Sequence, residues 1–226
     1  MTVTEEGVKK LGFGLMRLPQ KDGAIDIEQT KTMVDMFLNA GFNYFDTAWA
    51  YQGSEDAIRQ ALVERYPRDS YFLATKNAAW INCKTREEAI DQFETSLRRT
   101  GAGYFDFYLL HNLGESRTHF FEDFDLWNWA FGKKREGLIK HVGFSFHSTP
   151  EELEAILTAH PEAEFVQLQI NYADWDNPAI RSPFNATANV EFVPLNDIGA
   201  VERKLAAREF AAVIVEGIQG VAGIRC

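Results

Sequence analysis

The stretch Tyr104-Phe105-Asp106-Phe107-Tyr108-Leu109-Leu110, followed at once by His111, is short, aromatic and apolar, with one charge. Such a run reads as a strand buried on both faces, the kind found in parallel sheets. Similar runs lie on either side of it, at Leu11 to Leu15, Phe42 to Phe45, Tyr71 to Ala74, Ile139 to Phe144 and Phe165 to Ile170. Between them, apolar residues recur at helical spacing: Thr30, Met33, Val34, Phe37 and Leu38; Ile58, Ala61 and Leu62; Ile90, Phe93 and Leu97; Leu153, Ile156 and Leu157. Strand and helix in alternation predict a parallel sheet with helices packed outside it, either a βα barrel or a doubly wound sheet.

Repeat length favours the barrel. Six strand-led units end near residue 175, at roughly 29 residues each, close to the ~30 of a typical barrel unit. Eight such units would need about 235 residues, more than the 226 in the chain. The glycine-rich phosphate loop of a doubly wound dinucleotide fold has no counterpart, because Gly12 and Gly14 are followed by Arg17, and Gly101 and Gly103 by Asp106, where a third glycine would stand. The fold expected is therefore α/β, of the (β/α)8 TIM-barrel type, incomplete, with six strand units.

Composition narrows the partners. With 46% hydrophobic and 25% charged residues the chain can bury a full core. Its formal charge of -10 suits no phosphate backbone, so no nucleic-acid partner is expected. Cys83 and Cys226 are too few for a disulfide framework or a cysteine metal cluster, which fits a reducing, cytoplasmic setting and predicts no metal. Met1 to Lys10 has no apolar core and no run reaches the ~18 residues of a membrane helix, so neither export nor membrane contact is expected. The acceptor-like Asn185-Ala186-Thr187 then never meets a glycosylating enzyme. Near Asn177 the balance of charge changes: residues 177–226 hold five acids and five bases, and the whole negative excess lies before them.

Ionisable groups stand directly after three of the apolar runs. Asp46 follows Tyr44-Phe45, Lys76 follows Leu73-Ala74-Thr75, His111 follows Leu109-Leu110, and Tyr51 lies five residues past Asp46. In a parallel barrel the C-terminal strand ends share one mouth, where active sites form, so these four residues are expected to meet. His119, His141 and His160 show no metal-ligand spacing and read as structural or solvated.

These pieces resemble one family. Phe45-Asp46-Thr47-Ala48-Trp49-Ala50-Tyr51 with Gly53-Ser54-Glu55, then Ala74-Thr75-Lys76, then Asp106-Phe107-Tyr108-Leu109-Leu110-His111 are similar to segments of the aldo-keto reductases. So are Gly12-Phe13-Gly14-Leu15-Met16-Arg17-Leu18-Pro19, Gly137-Leu138-Ile139-Lys140-His141-Val142-Gly143-Phe144-Ser145 and Phe165-Val166-Gln167-Leu168-Gln169-Ile170-Asn171-Tyr172. The resemblance covers about residues 8–176 and defines a first domain, 1–176, as a partial barrel. It implies an oxidoreductase that reduces an aldehyde or ketone, a small-molecule substrate, with NADP or NAD. It carries the family's catalytic tetrad onto Asp46, Tyr51, Lys76 and His111, and its nicotinamide-holding residues onto Ser145 and Gln169. Many relatives have Asn directly after that serine, where this chain has Phe146 and then His147.

The tetrad suits the chemistry. Charge growing on a carbonyl oxygen must be met by a proton and by fixed donors. Tyr51 would supply the proton, with Lys76 lowering the phenol's pKa, Asp46 holding Lys76 charged, and His111 orienting the carbonyl.

From Arg181 to Cys226 the sequence is similar instead to a middle segment of acetylornithine-type, class III aminotransferases, so 177–226 reads as a second unit fused to the first. Ala211 to Val215 could fill a seventh strand place, leaving the eighth empty. The residues that would bind pyridoxal phosphate in that family lie past Cys226, and no cysteine-rich iron-sulfur segment is present, so neither cofactor is expected. With the last two units replaced, weak nicotinamide binding, impaired activity and self-association through an open barrel edge are expected. The competing readings are a catalytically silent fusion remnant and a binding or assembly module.

Overall fold

A computed structural model of the chain describes residues 7–114 and 116–168. β1 (Gly12–Gly14) is followed by a two-stranded antiparallel hairpin, β2 (Gln20–Lys21) and β3 (Ala24–Ile25). Its turn residues Asp22 and Gly23 have φ of 53° and 81°, as a tight hairpin of two loop residues requires. α1 (Ile27–Asn39) starts at Asp26, whose Oδ1 accepts from the Gln29 amide at 2.9 Å. Then come β4 (Tyr44–Asp46), α2 (Ser54–Ile58) running on into a π-type turn at Arg59–Val63, β5 (Phe72–Asn77) and α3 (Arg86–Thr100). Thr85 caps the start of α3, and Gly101, at φ 65°, ends it in the left-handed conformation that favours glycine. β6 (Phe105–Leu113), α4 (Thr118–Asp123), α5 (Leu126–Arg135), β7 (Ile139–Phe146), α6 (Pro150–Ala159) and β8 (Phe165–Leu168) complete the order.

The six long-sheet strands pair in the order β1-β4-β5-β6-β7-β8, and every pairing is parallel. The order advances in one direction and never turns back, which separates this sheet from a doubly wound one. α4 and α5 were not expected from helical spacing: α5 buries Leu126, Trp127 and Ala130 between aromatic residues that read equally well as strand. Ile170, Gln169 and the whole of 177–226, with its candidate seventh strand, lie outside the described residues.

Alternation along each strand sorts the side chains onto two faces. One face packs on the helices. Phe45, Leu73, Tyr108 and Val142 join Val34 of α1, Ile58 of α2, Phe93 of α3 and Ala130 of α5 in one core cluster. Leu110, Phe144 and Phe146 join Phe121, Leu126, Trp127 and Ile156 in a second. The other face carries Tyr44, Phe72, Ala74, Phe107, Leu109 and Phe165 in a cluster of its own, with Asp46, Lys76 and His111 next along the same face.

At the base of that second face, large rings sit against glycines. A Cβ on Gly143 would lie 2.3 Å from the backbone oxygen of Phe165 and 2.7 Å from its ring. One on Gly12 would lie 2.9 Å from the Tyr44 ring. Gly14 has open space instead. Gly143 is therefore what lets β8 approach β7 with Phe165 folded over it. Gly143→Ala is expected to lower stability by about 2–3 kcal/mol, the cost of overpacking a site whose nearest neighbour is backbone, whereas Gly14→Ala should cost nothing measurable. Urea unfolding of the two variants checks this, and equal stability in Gly143→Ala would refute the packing argument.

Candidate active site

Lys76, only 2% exposed, rises from β5 beside the end of β4. Its ammonium donates to both carboxylate oxygens of Asp46, at 2.7 Å to Oδ2, and at 2.7 Å to the Thr47 carbonyl. Three donors thus meet three acceptors. Burial pushes the lysine's pKa down, and the charge and hydrogen bonds of Asp46 push it back up. Gln167 of β8 donates from Nε2 to Asp46 Oδ2 at 3.0 Å, so three strands converge on one carboxylate.

The loop after β4 is pinned by buried polar groups. Thr47 and Ser54 hydroxyls lie 2.7 Å apart, and Ser54 Oγ donates to the Leu15 carbonyl at 3.0 Å. Glu55, 1% exposed, accepts from Thr75 Oγ1 at 2.8 Å and faces Arg99 at 3.4 Å. Burial raises the Glu55 pKa, opposed by the hydroxyls of Ser96 and Thr75 and by Arg99. These contacts hold Tyr51 over the lysine, with Lys76 Nζ 5.0 Å from the centre of the phenol ring.

Tyr51 in turn packs edge-on against His111, ring centres 5.7 Å apart at 81°. Trp80 also packs on the imidazole, ring centres 6.2 Å apart, and its indole N–H donates to the His111 carbonyl at 2.9 Å. The structure thus brings Asp46, Tyr51, Lys76 and His111 to one end of the sheet. The electrostatics differ from expectation at one point. The Tyr51 pKa is raised, first by burial and then by the charge of Asp46, rather than lowered by Lys76. Lys76 spends its donors on Asp46 and Thr47 and presents its charge to the ring face, so burial dominates. Burial also lowers the His111 pKa to about 3, helped by the positive charges of Lys76, His147 and Arg117.

After His111 the pairing of β6 with β7 slips between Leu110 and Leu113, and Asn112 adopts φ 62°. This bulge turns the Asn112 amide onto Ser145 Oγ at 2.8 Å. Ser145 is buried. Around it, Asn112 Oδ1, Gln167 Oε1 and His111 Nδ1 are buried atoms without a hydrogen-bond partner among the described residues. Gln169 lies outside those residues. Gln167 escaped the sequence reading although it stands two residues before Gln169 in the sequence, a period-2 spacing that could have found it. Trp80 carried no such signal.

His160 and His141 make contacts of their own elsewhere. His160 stacks on Trp127 at 4.2 Å and contacts Glu122 and Glu162. His141 stacks on Phe107 at 5.1 Å beside Glu164. No group of three His, Cys, Asp or Glu that could hold a metal occurs among the described residues, and no helix there is long and apolar enough to cross a membrane.

Comparison with known proteins gives a consistent result. The model of the aldo/keto reductase family matches residues 10–203, running past Asp176, where the sequence resemblance was drawn to end. An aldo-keto reductase of Mycolicibacterium smegmatis is 28% identical over 151 residues, which are 66% of this chain and 50% of that protein. Among solved structures, an aldo/keto reductase from Brucella melitensis aligns with a TM-score of 0.56 and 26% identity, over 71% of this chain and 58% of that one. An aldo-keto reductase from Klebsiella pneumoniae in complex with NADPH aligns with a TM-score of 0.55 and 26% identity, over 72% and 55%. The chain spans about half the length of the curated relatives it matches. With a family match over most of its residues, and with six parallel strands laid down in the order of a βα barrel, this chain belongs to the aldo/keto reductase family.

Proposed function

We propose that the chain carries the catalytic half of a carbonyl reductase that uses NADP(H) to reduce an aldehyde or ketone. The observation that supports this most is the buried Lys76–Asp46 pair set against the Tyr51 ring face, with His111 packed edge-on to that ring. The residues present suit the cofactor. Asn112 Oδ1 and Gln167 Oε1, buried acceptors with nothing to accept from among the described residues, fit the donor end of a nicotinamide carboxamide beside Ser145. The complex of the Klebsiella pneumoniae relative with NADPH favours the phosphorylated dinucleotide. When bound, that cofactor supplies the hydride.

The chain's own residues do the rest. Tyr51 holds a proton on its phenol oxygen at neutral pH and gives it to the carbonyl oxygen as charge develops there. The Lys76 ammonium at the ring face steadies the phenolate left behind, and Asp46 keeps that ammonium charged within a buried site. His111, held neutral, offers one N–H to the same carbonyl oxygen. Trp80 and Tyr51 wall the imidazole and keep water from it. A cytoplasmic setting, an aminotransferase-like unit at 177–226 and self-association through an open sheet edge are readings that rest on the sequence alone.

Two outcomes are expected. Tyr51→Phe should reduce NADPH-dependent turnover of a simple aldehyde at least ~100-fold, the scale of a lost general acid, while calorimetry shows NADPH binding within about twofold. Turnover that survives the substitution would remove Tyr51 from the mechanism. The pH profile follows from the two shifts: burial takes His111 to about 3, from an ordinary 6.5, and moves Tyr51 upward, so neither group titrates near neutrality. The reduction rate should be level between about pH 5 and 9. An inflection near neutral pH that disappears in His111→Asn would show that His111 works as a cation.

A further inference from the structure

The ladder that builds β6 lapses where it delivers its histidine. Pairing with β5 ends with Asn77 opposite Leu110, and pairing with β7 breaks after Leu110 and resumes with Leu113 opposite Phe146. His111 and Asn112 lie in that gap. A buried backbone carbonyl needs a donor, and the His111 carbonyl receives one from the Trp80 indole at 2.9 Å. The next amide, that of Asn112, donates to Ser145 Oγ at 2.8 Å. Two side chains thus stand in for the sheet bonds, and the one on the His111 carbonyl also packs its ring on the imidazole.

Trp80 is itself held from behind. The loop after β5 turns at Ala78, whose carbonyl accepts from the Ile81 amide at 2.8 Å. Gln92 of α3, 3% exposed, grips Ala78 twice: its Oε1 accepts from the Ala78 amide at 2.7 Å and its Nε2 donates to the Ala78 carbonyl at 3.1 Å. Asn77 donates from Nδ2 to the Ala89 carbonyl at 2.7 Å and accepts at Oδ1 from the Ala79 amide at 3.0 Å. The Arg117 guanidinium lies over the indole at 4.9 Å. A side chain locked by its own surroundings can hold a neighbour to a fraction of an ångström. We infer that Trp80 is the positioning residue of His111: its N–H fixes where the carbonyl, and with it the imidazole, stands, and its ring keeps water from that imidazole. This rests on the carbonyl-reductase reading above, in which a neutral His111 offers an N–H to the carbonyl oxygen. The titratable groups around the imidazole are Tyr51, Lys76, His147 and Arg117. Burial comes first in disfavouring its protonation, and the charges of Lys76, His147 and Arg117 act in the same direction.

The test uses Trp80→Phe, which keeps an aromatic ring and removes the donor, and Trp80→Leu, which removes the ring as well, each checked for folding by circular dichroism. The readouts are kcat and KM with NADPH over a panel of simple aldehydes and ketones, the same constants in a His111→Asn background, and the 15N titration of the His111 imidazole without cofactor, assigned by His111→Asn. Trp80→Phe should lower kcat about 10- to 100-fold, the scale of an ångström-sized misplacement, with KM for NADPH within about twofold. In the His111→Asn background the same substitution should change kcat by less than about twofold, since nothing is left to position. Trp80→Leu should admit water and carry the His111 midpoint upward from about 3 toward its ordinary 6.5, so that the rate acquires an inflection on the acid side of neutrality. A kcat loss of the same size with and without His111, or a His111 midpoint unmoved in folded Trp80→Leu, overturns the role of Trp80. No turnover of any carbonyl compound by the unmodified chain, together with a midpoint that moves in Trp80→Leu, would overturn the reductase reading and leave the hold of Trp80 on His111 standing.

Discussion

A buried ammonium governs this site. Taking the Lys76 charge out of water carries a penalty of several kcal/mol, and it is tolerable only because Asp46 and the Thr47 carbonyl receive all of its donors. That requirement ties β4 to β5, and Gln167 extends it to β8. A slip of one residue in any of these strands would turn its polar member toward the helices and leave a charge without its partner. The same pair decides the behaviour of its neighbours. With Lys76 committed to Asp46, the phenol above it feels burial more than positive charge, and the imidazole beside it is held neutral.

Much of this could be read from the chain. The alternation of aromatic runs with helical stripes gave six strands in their observed order, because strands buried on both faces leave an apolar signature that does not depend on tertiary detail. The helices after β6 were illegible for the opposite reason. Trp127, Trp129 and Phe131 are β-prone in isolation and are helical here because the sheet offers them a surface to pack on. Polar hairpin residues such as Asp22 and Gly23 carried a turn signal too short to stand out.

The site divides along the same line. Asp46, Lys76 and His111 were visible as ionisable residues closing apolar runs, a pattern that topology alone converts into proximity. What the sequence could not supply was the balance among their charges, since the direction of the Tyr51 shift is set by burial first and then by the charge of Asp46. Nor could it supply the bulge at Asn112, which arises between strands and not within one. That irregularity is what turns an amide onto Ser145.

The one-directional order of the sheet also shapes how the molecule is made. Each strand of the long sheet pairs with the long-sheet strands before and after it along the chain, so joining it to the sheet closes the loop of a single crossover connection, and closure entropy grows only slowly with that length. Mixed α/β topologies of this kind fold at rates between those of helical bundles and all-β sandwiches. A chain leaving the ribosome from its N-terminus can therefore extend the sheet strand by strand, the edge just formed serving as template for the next segment to emerge. The Lys76–Asp46 contact becomes available once β5 has docked on β4, early in synthesis, whereas the Gln167 contact must wait for β8.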